Sequence, residues 1–370
     1  MSGLQEQVQT LIDGLVTSGA ENGVKVAVYR RGEPVVEAVA GVADPETGRP
    51  VTPETLFYAA STGKGVAATV AHVLVERGLF DYDTRVAEIW PEFAANGKES
   101  ATVRHVLTHA AGVPAVPPDT TLEQLCDWDA MCRTVAEAEP WWAPGERVGY
   151  HAVTFGYLIG EVVRRAAGRP ISQVLAEEVA GPLGVGDELY FGVPASELGR
   201  VARVEDDPAG RAMFASLPPE FPLFKAVPRE LVPNADYGNR TDILMSDVPF
   251  QATTTARAVA RMYAALLDEV DGVRLVPHDR LGEISSLATT GIDEMTGGPA
   301  TYALGYTVGR LGTSAPQERP TMFGFVGIGV GGAYADRATG VSVAVLRNRF
   351  NPTEMRVVER VGELVDAAFA

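Results

Sequence analysis

The two ends of the chain carry β-strand patterns, and the long stretch between them carries mostly helical patterns. A helix over residues 4–17 precedes the first strands, and a closing helix is predicted over residues 352–369. Strands are predicted at residues 24–30, 34–41, 303–310, 321–325, 332–336 and 341–347. The order predicts an α+β fold, an α/β sandwich in which helices flank one antiparallel sheet built from both ends of the chain.

This order also predicts two domains. Residues 1–57 and 288–370 are expected to form a discontinuous sheet domain, into which residues 58–287 insert a mostly helical domain. Helices of the insertion are predicted at residues 64–77, 102–108, 121–138, 154–167, 171–180 and 255–268. Residues 187–250 read as Pro-rich loops, and a loop region this long in a compact protein more often forms a lid or pocket wall than filler.

Composition limits the classes of partner. Of the 370 residues, 46% are hydrophobic and 21% are charged, which is typical of a globular protein. The net charge of −17 argues against nucleic acid or an anionic membrane as a partner. No stretch approaches the ~20 apolar residues of a membrane span, and the amino terminus does not resemble a secretion signal, so a cytoplasmic location is expected. Cys126 and Cys132 are expected to be reduced thiols, and their spacing predicts no metal site.

A candidate nucleophile lies in the stretch Tyr58-Ala-Ala-Ser61-Thr-Gly-Lys64, where a turn-rich segment meets a predicted helix. Residues three apart share a helix face, so the Ser61 hydroxyl and the Lys64 amine can approach each other. The amine can accept the hydroxyl proton only if burial or positive charge lowers its pKa from ~10.4. The alternative is a serine that caps the helix beside a solvated lysine.

Three blocks in order resemble one family. The Ser-x-x-Lys block resembles that of the serine β-lactamase and penicillin-binding-protein superfamily. Thr102-Val-Arg-His-Val-Leu-Thr-His-Ala-Ala-Gly-Val-Pro resembles a segment of the class C branch and related carboxylesterases, and Pro144-Gly-Glu-Arg-Val-Gly-Tyr150 resembles the tyrosine motif of that branch. The resemblance covers roughly residues 20–350 and is closest to family VIII carboxylesterases and related transacylases.

The resemblance implies roles for individual residues. Ser61 would form an acyl-enzyme, Lys64 would lower its proton affinity, and Tyr150 would relay protons, with its ionised form favoured beside a lysine ammonium. The backbone N–H groups of Ser61 and Ile328 would form the oxyanion hole. No cofactor and no metal are implied.

The histidines admit a second interpretation. His105 and His109 could suggest a Ser-His-Asp arrangement, but the resemblance implies that their segment is a structural turn near the site. His72 is expected in the core or on the surface.

Two departures from the family pattern bear on the substrate. Ala152 stands where class C β-lactamases have an asparagine that contacts the substrate amide, and Phe325-Val326-Gly327 stands where lactamases and peptidases have Lys-Ser/Thr-Gly. A phenyl ring cannot bind a carboxylate and suits a neutral acyl or ester group. The residues predicted to contact substrate are His151, Phe325, Gly327, Phe221 and Phe224.

These features predict a serine hydrolase that cleaves a carboxylic ester, with a small-molecule ester or acyl donor as its partner. The first alternative is a transacylase that passes the same acyl group to an amine or alcohol acceptor. A β-lactamase or D,D-peptidase ranks third, since it would need the asparagine, a cationic third motif and an export signal, and none of these is visible in the sequence; a non-catalytic homologue ranks fourth. The sequence carries no motif that identifies the acyl chain, the acceptor or the oligomeric state.

Overall fold

A computed structural model describes residues 3–309, 311 and 318–369. The α-helices of these residues, α1 to α15, are Leu4–Thr17, Thr62–Glu76, Val86–Ile89, Val103–Leu107, Leu122–Leu125, Trp128–Glu137, Thr154–Ala167, Ile171–Leu175, Pro208–Ala215, Pro222–Ala226, Ala235–Gly238, Thr241–Met245, Ala256–Leu267, His278–Ser285 and Arg356–Phe369. Shorter 3₁₀ helices span Pro91–Gly97, Ala195–Arg200 and Arg229–Leu231, and a π-helix spans Ala176–Ala180. The strands, β1 to β12, are Gly23–Arg30, Glu33–Asp44, Arg49–Pro50, Phe57–Tyr58, Leu189–Tyr190, Glu205–Asp206, Thr253–Thr254, Thr307–Val308, Met322–Gly327, Gly331–Asp336, Val341–Arg347 and Arg349–Phe350.

The main sheet joins the two ends of the chain, as predicted. Its seven strands lie in the order β3-β2-β1-β11-β10-β9-β8, and neighbouring strands pair antiparallel. At its centre β1 pairs with β11, in a register that places Val26 opposite Val345. The predicted α+β fold is therefore confirmed. The two domain ranges stay a prediction.

Both faces of this sheet are covered, because successive side chains of a strand point to opposite faces. On one face, Val26 and Val28 pack with α1 and α15 through residues such as Ile12 and Val361. On the other face, α13 packs against β1, β10 and β11, and α2 packs against β9. Every residue of β11 is buried as a result. Helix α13 thus lies on the sheet, although it falls within the range predicted for the helical insertion.

Two of the predicted elements are wrong in part. The predicted strand at 303–310 is a strand only at Thr307–Val308, because Ala303 N–H bonds the carbonyl of Tyr306 around Gly305, whose φ is +82°; residue 310 lies outside the described residues. The helix predicted at 121–138 is interrupted at Asp127, whose side chain caps α6 by accepting a hydrogen bond from Ala130 N–H.

Residues 187–250 are more ordered than the predicted loops. They contain α9 to α12, and α9 and α10 each begin at a proline, which suits the first helical turn. The side chain of Tyr237 in this region is buried, and its hydroxyl donates to Gln251 Oε1 at 3.0 Å. None of the described helices is long and apolar enough to cross a membrane.

Candidate active site

A strained turn presents Ser61 at the start of α2. The turn follows β4, and Ala59 N–H bonds the carbonyl of Ala252 at 2.8 Å. Ala60 has a φ of +43°, a conformation that residues other than glycine adopt rarely and that clusters at functional sites. Ser61 is the N-cap residue of α2, and residues 62–75 of this helix are all buried. The nucleophile candidate therefore stands on a rigid element whose first turn is fixed on several sides.

Ser61 Oγ is the meeting point of two other side chains. Lys64 Nζ donates to it at 3.0 Å, and Tyr150 Oη donates to it at 2.9 Å. Lys64 Nζ also donates to the carbonyl oxygen of Phe250 at 3.2 Å, which holds the amine in place. The structure thus brings together the three residues that the sequence predicts to be catalytic.

Burial sets the protonation states of this group. The Lys64 side chain is completely buried, and loss of hydration lowers its pKa well below the usual value, which favours the neutral amine. Burial also raises the pKa of Tyr150, although its hydrogen bond to Ser61 acts in the opposite direction. The expectation that a lysine ammonium favours ionised Tyr150 is therefore wrong, because both groups are most stable in their neutral forms.

A cavity of about 320 Å³ opens beside Ser61. No aspartate, glutamate, lysine, arginine or histidine side chain lines it among the described residues. Its walls come from distant parts of the chain, including Leu223, Val227, Leu231, Val232, Pro233, Phe325, Val326, Ile328, Pro352 and Met355. The cavity therefore suits an uncharged ligand with an apolar part.

Of the residues predicted to contact substrate, only Phe325 lines the cavity. Its ring is buried and stacks on the ring of Tyr150, with 6.3 Å between the centroids. Phe221 and Phe224 pack against each other at 5.7 Å instead, and the Arg229 guanidinium lies over the Phe224 ring. The short helix α10 turns Leu223 toward the cavity rather than these rings.

His151 does not line the cavity because both of its ring nitrogens bond to the backbone. Nδ1 lies 2.6 Å from the carbonyl oxygen of Gly149, and Nε2 accepts from Val113 N–H at 3.1 Å. Gly327 does not line the cavity either. It lies against the Ser61 turn, because a Cβ added to it would lie 2.2 Å from the carbonyl oxygen of Ala59. Gly327 therefore lets β9 approach the turn that presents Ser61.

The positions implied for the oxyanion hole, Ser61 and Ile328, both line the cavity. Ile328 directly follows β9, and it is flanked by Gly327 and by Gly329, whose φ is +73°. The turn after β9 thus faces the same space as the Ser61 hydroxyl. Backbone N–H groups directed there would stabilise a developing oxyanion.

The histidines do not form a Ser-His-Asp arrangement with Ser61. His109 is buried with its ring 5.1 Å from the ring of Tyr150, and its Nδ1 accepts from His151 N–H at 3.1 Å. Burial lowers the pKa of His109 well below its usual value, so its ring is neutral. His105 belongs to the N-terminal cap of α4, and His72 bonds Tyr82 and the carbonyl of Leu304 in the core.

Some residues around the site carry no recognisable sequence signal. Gln251 lines the cavity, and its Oε1 accepts hydrogen bonds from the hydroxyls of Tyr58 and Tyr237. Phe250 takes part through its backbone carbonyl, which any residue could supply. Tyr302 lines the cavity while its hydroxyl donates to Asp293 Oδ2 at 2.7 Å. Only the assembled structure brings these loops to the nucleophile.

Comparisons with known proteins identify the family of this chain. The sequence matches the Beta-lactamase family over residues 8–367. It is 33% identical over 341 residues to the Esterase/beta-lactamase LipL of Mycobacterium tuberculosis, covering 88% of this chain and 77% of LipL. It is also 33% identical over 183 residues to Esterase EstB of Burkholderia gladioli, covering 45% of this chain and 46% of EstB.

Solved structures extend the comparison to the whole chain. A family VIII carboxylesterase superposes with a TM-score of 0.89 at 31% identity, covering 99% of this chain and 98% of that structure. A penicillin-binding protein homologue from Caulobacter crescentus superposes with a TM-score of 0.83 at 30% identity, covering 99% and 97%. The chain therefore belongs to the beta-lactamase family, and the protein is a serine hydrolase.

Proposed function

We propose that this protein hydrolyses small esters whose acyl group carries no charge, through an acyl-enzyme on Ser61. The observation that carries the proposal is the hydrogen-bonded group of Ser61, Lys64 and Tyr150 at the edge of an uncharged cavity. A hydroxyl is a weak nucleophile at neutral pH, and an adjacent neutral amine activates it. Burial of Lys64 supplies such an amine.

In the first step, Ser61 Oγ attacks the ester carbonyl carbon while its proton passes to Lys64 Nζ. The carbonyl oxygen becomes an oxyanion, which the N–H groups of Ser61 and Ile328 stabilise. The intermediate then collapses, the bond to the alcohol oxygen breaks, and Tyr150 donates its proton to that oxygen while Lys64 returns one to Tyr150. Water repeats the sequence on the acyl-enzyme and releases the carboxylic acid.

The lining of the cavity favours an ester over a β-lactam or a peptide. Those substrates carry a carboxylate, and binding one in a buried site requires a cation or several N–H donors. Phe325 occupies the third-motif position, Ala152 replaces the asparagine of the lactamase pattern, and no cation lines the described cavity. The name of EstB, an esterase, adds support from the comparisons, whereas LipL is named both an esterase and a β-lactamase.

Acyl transfer is the second candidate, and the apolar walls favour it. Val227, Val232 and Met355 offer water no hydrogen bonds, so an amine or alcohol that binds there can compete for the acyl-enzyme. Both functions share the first half of the reaction. Product analysis with an acceptor present distinguishes them.

The test compares wild-type protein with Ser61→Ala on p-nitrophenyl acetate and butyrate, by released nitrophenol and intact mass. The matched control is Ser286→Ala, because the Ser286 hydroxyl is exposed and bonds only within α14. Wild type and control should be acylated and turn over, whereas Ser61→Ala should do neither. Absence of acylation in wild type would refute the proposal. A normal rate of ester hydrolysis in the Ser61→Ala variant would also refute it.

Further arms of this experiment separate the alternatives. Acceptor-dependent product would favour a transacylase, and rapid nitrocefin hydrolysis would favour a β-lactamase. Lys64→Ala and Tyr150→Phe should each lower turnover at least ~100-fold, the usual scale for a positioned acid or base. A near-normal rate in either variant would remove that residue from the mechanism.

A further inference from the structure

A buried arginine lies behind the cavity. Arg347, the last residue of β11, has only 1% of its surface exposed. Its guanidinium Nη1 donates to Glu21 Oε1 at 2.7 Å and to Glu354 Oε2 at 3.3 Å. Glu21 is also buried, and burial raises its pKa against the opposing effect of Arg347. This ion cluster does not line the cavity beside Ser61.

One side of the guanidinium holds the turn after β9. Arg347 Nε donates to the carbonyl oxygen of Gly329 at 3.2 Å, and Arg347 N–H bonds the carbonyl of Val330 at 3.0 Å. Gly329 lines the cavity next to Ile328, whose N–H is the proposed oxyanion donor. The Gly329 backbone also packs closely on the Phe350 ring, since a Cβ added at Gly329 would lie 2.7 Å from that ring. The turn therefore has little room to move.

The other side of the guanidinium holds a second part of the cavity wall. Arg347 Nη2 donates to the carbonyl oxygens of Asn351, at 3.2 Å, and Glu354. Pro352 follows Asn351 and Met355 follows Glu354, and both Pro352 and Met355 line the cavity. The two parts are also joined directly, since Asn351 N–H bonds the carbonyl of Gly329 at 3.1 Å.

We infer that Arg347 is a positioning residue that fixes the oxyanion turn and the Pro352–Met355 wall relative to each other; this rests on the proposed ester hydrolysis. A buried ion pair adds little stability compared with apolar packing of the same volume, so stability alone does not account for this arginine. Its planar fork of donors reaches three carbonyls in fixed directions. A lysine ammonium keeps the charge but cannot reproduce this pattern.

The test compares Arg347→Lys with Arg349→Lys. Arg349 is the matched control because it lies two residues further on, and its side chain bonds Asp207 and the carbonyl of Gly19 instead of the cavity wall. The first measurement is the pre-steady-state acylation rate per titrated active site, with p-nitrophenyl acetate and octanoate. The second is hydrogen exchange of residues 326–330 and 351–355, which does not depend on ester hydrolysis.

In Arg347→Lys, acylation should slow at least ~10-fold, less than the 10²–10³ typical of losing an oxyanion donor outright. The acetate-to-octanoate ratio should change, because the Met355 wall moves, and exchange should rise in both segments. Arg349→Lys should match wild type in acylation rate, in the acetate-to-octanoate ratio and in hydrogen exchange. Equal acylation and exchange in the two variants would overturn the inference.

Two further outcomes have defined meanings. If Arg347→Lys does not fold, Glu21→Gln weakens the same cluster while keeping an acceptor in place; it should slow acylation and raise exchange in both segments, and a folded variant with neither change overturns the inference. If wild type hydrolyses no ester but exchange rises in Arg347→Lys alone, the proposed function fails while the positioning role stands.

Discussion

Replacing Gly327 by alanine should disable the enzyme without a change at any reacting group. The added Cβ would lie 2.2 Å from the carbonyl oxygen of Ala59 and 3.1 Å from its carbonyl carbon. Carbon and oxygen atoms in close contact normally stand ~3.3 Å apart, so β9 and the Ser61 turn must separate by about 1 Å. The position of the added Cβ is fixed by the backbone of β9, and the atoms that it meets belong to the backbone of Ala59. No side-chain rotation can therefore relieve the contact.

The size of the effect follows from that displacement. Overpacking of this kind destabilises proteins by about 1–3 kcal/mol. A shift of about 1 Å between reacting groups can cost ~100-fold in rate. Here the shift separates the Ser61 hydroxyl on α2 from the Ile328 turn that follows β9. We therefore expect kcat/KM to fall ~100-fold while the protein still folds.

The assay is p-nitrophenyl butyrate hydrolysis per folded molecule, together with thermal unfolding. Gly282→Ala is the control, because Gly282 lies in α14 with no atom within 4 Å of an added Cβ. That variant should keep full activity and gain up to ~1 kcal/mol of stability from better helix propensity. A Gly327→Ala protein with more than a third of wild-type activity would refute the reasoning.

Three further predictions follow from the same site. Lys64→Met should abolish turnover yet raise the free energy of unfolding at pH 7 in denaturant titrations, because wild-type lysine is charged when unfolded and must lose its proton to be buried; the gain should fade toward pH ~10.4, where unfolded lysine also loses its proton. Wild-type kcat/KM should rise with pH through the lowered pKa of Lys64, because only the neutral amine accepts the Ser61 proton; a pH–rate profile that falls over this range contradicts that role. Leu223→Trp should lower hydrolysis of octanoate about tenfold relative to acetate, since it fills the cavity; an unchanged ratio would show that Leu223 does not limit the acyl chain.

The sequence indicated the parts of the site that depend on local pattern. Apolar periodicity identified α2 and the central strands, and the order of the motifs linked Ser61 and Lys64 to Tyr150 across almost 90 residues. The sequence pattern could not show how deeply Lys64 and Tyr150 are buried. The neutral state of Tyr150 depends on loss of hydration, which only the packed structure determines.

The cavity wall was the hardest part to predict. Leu223 rather than Phe224 lines the cavity because of the orientation of the five-residue helix α10. The aromatic content of the segment gives no information about that orientation. The contribution of Gly327 depends on its distance from Ala59, which follows from the tertiary arrangement. Likewise, Ala303 and Gly305 have strand-like neighbours but form a turn because the backbone bonds to itself there.

The pairing of β1 with β11 has a consequence for biosynthesis. A ribosome makes Ser61 and Lys64 long before Val345, and the centre of the sheet cannot form until Val345 is available to pair with Val26. Contacts this distant in sequence slow folding and leave a partly made chain with unpaired strand edges. The nucleophile would therefore gain its oxyanion turn only after β9 to β11 have been made, and until then the nascent chain would be inactive.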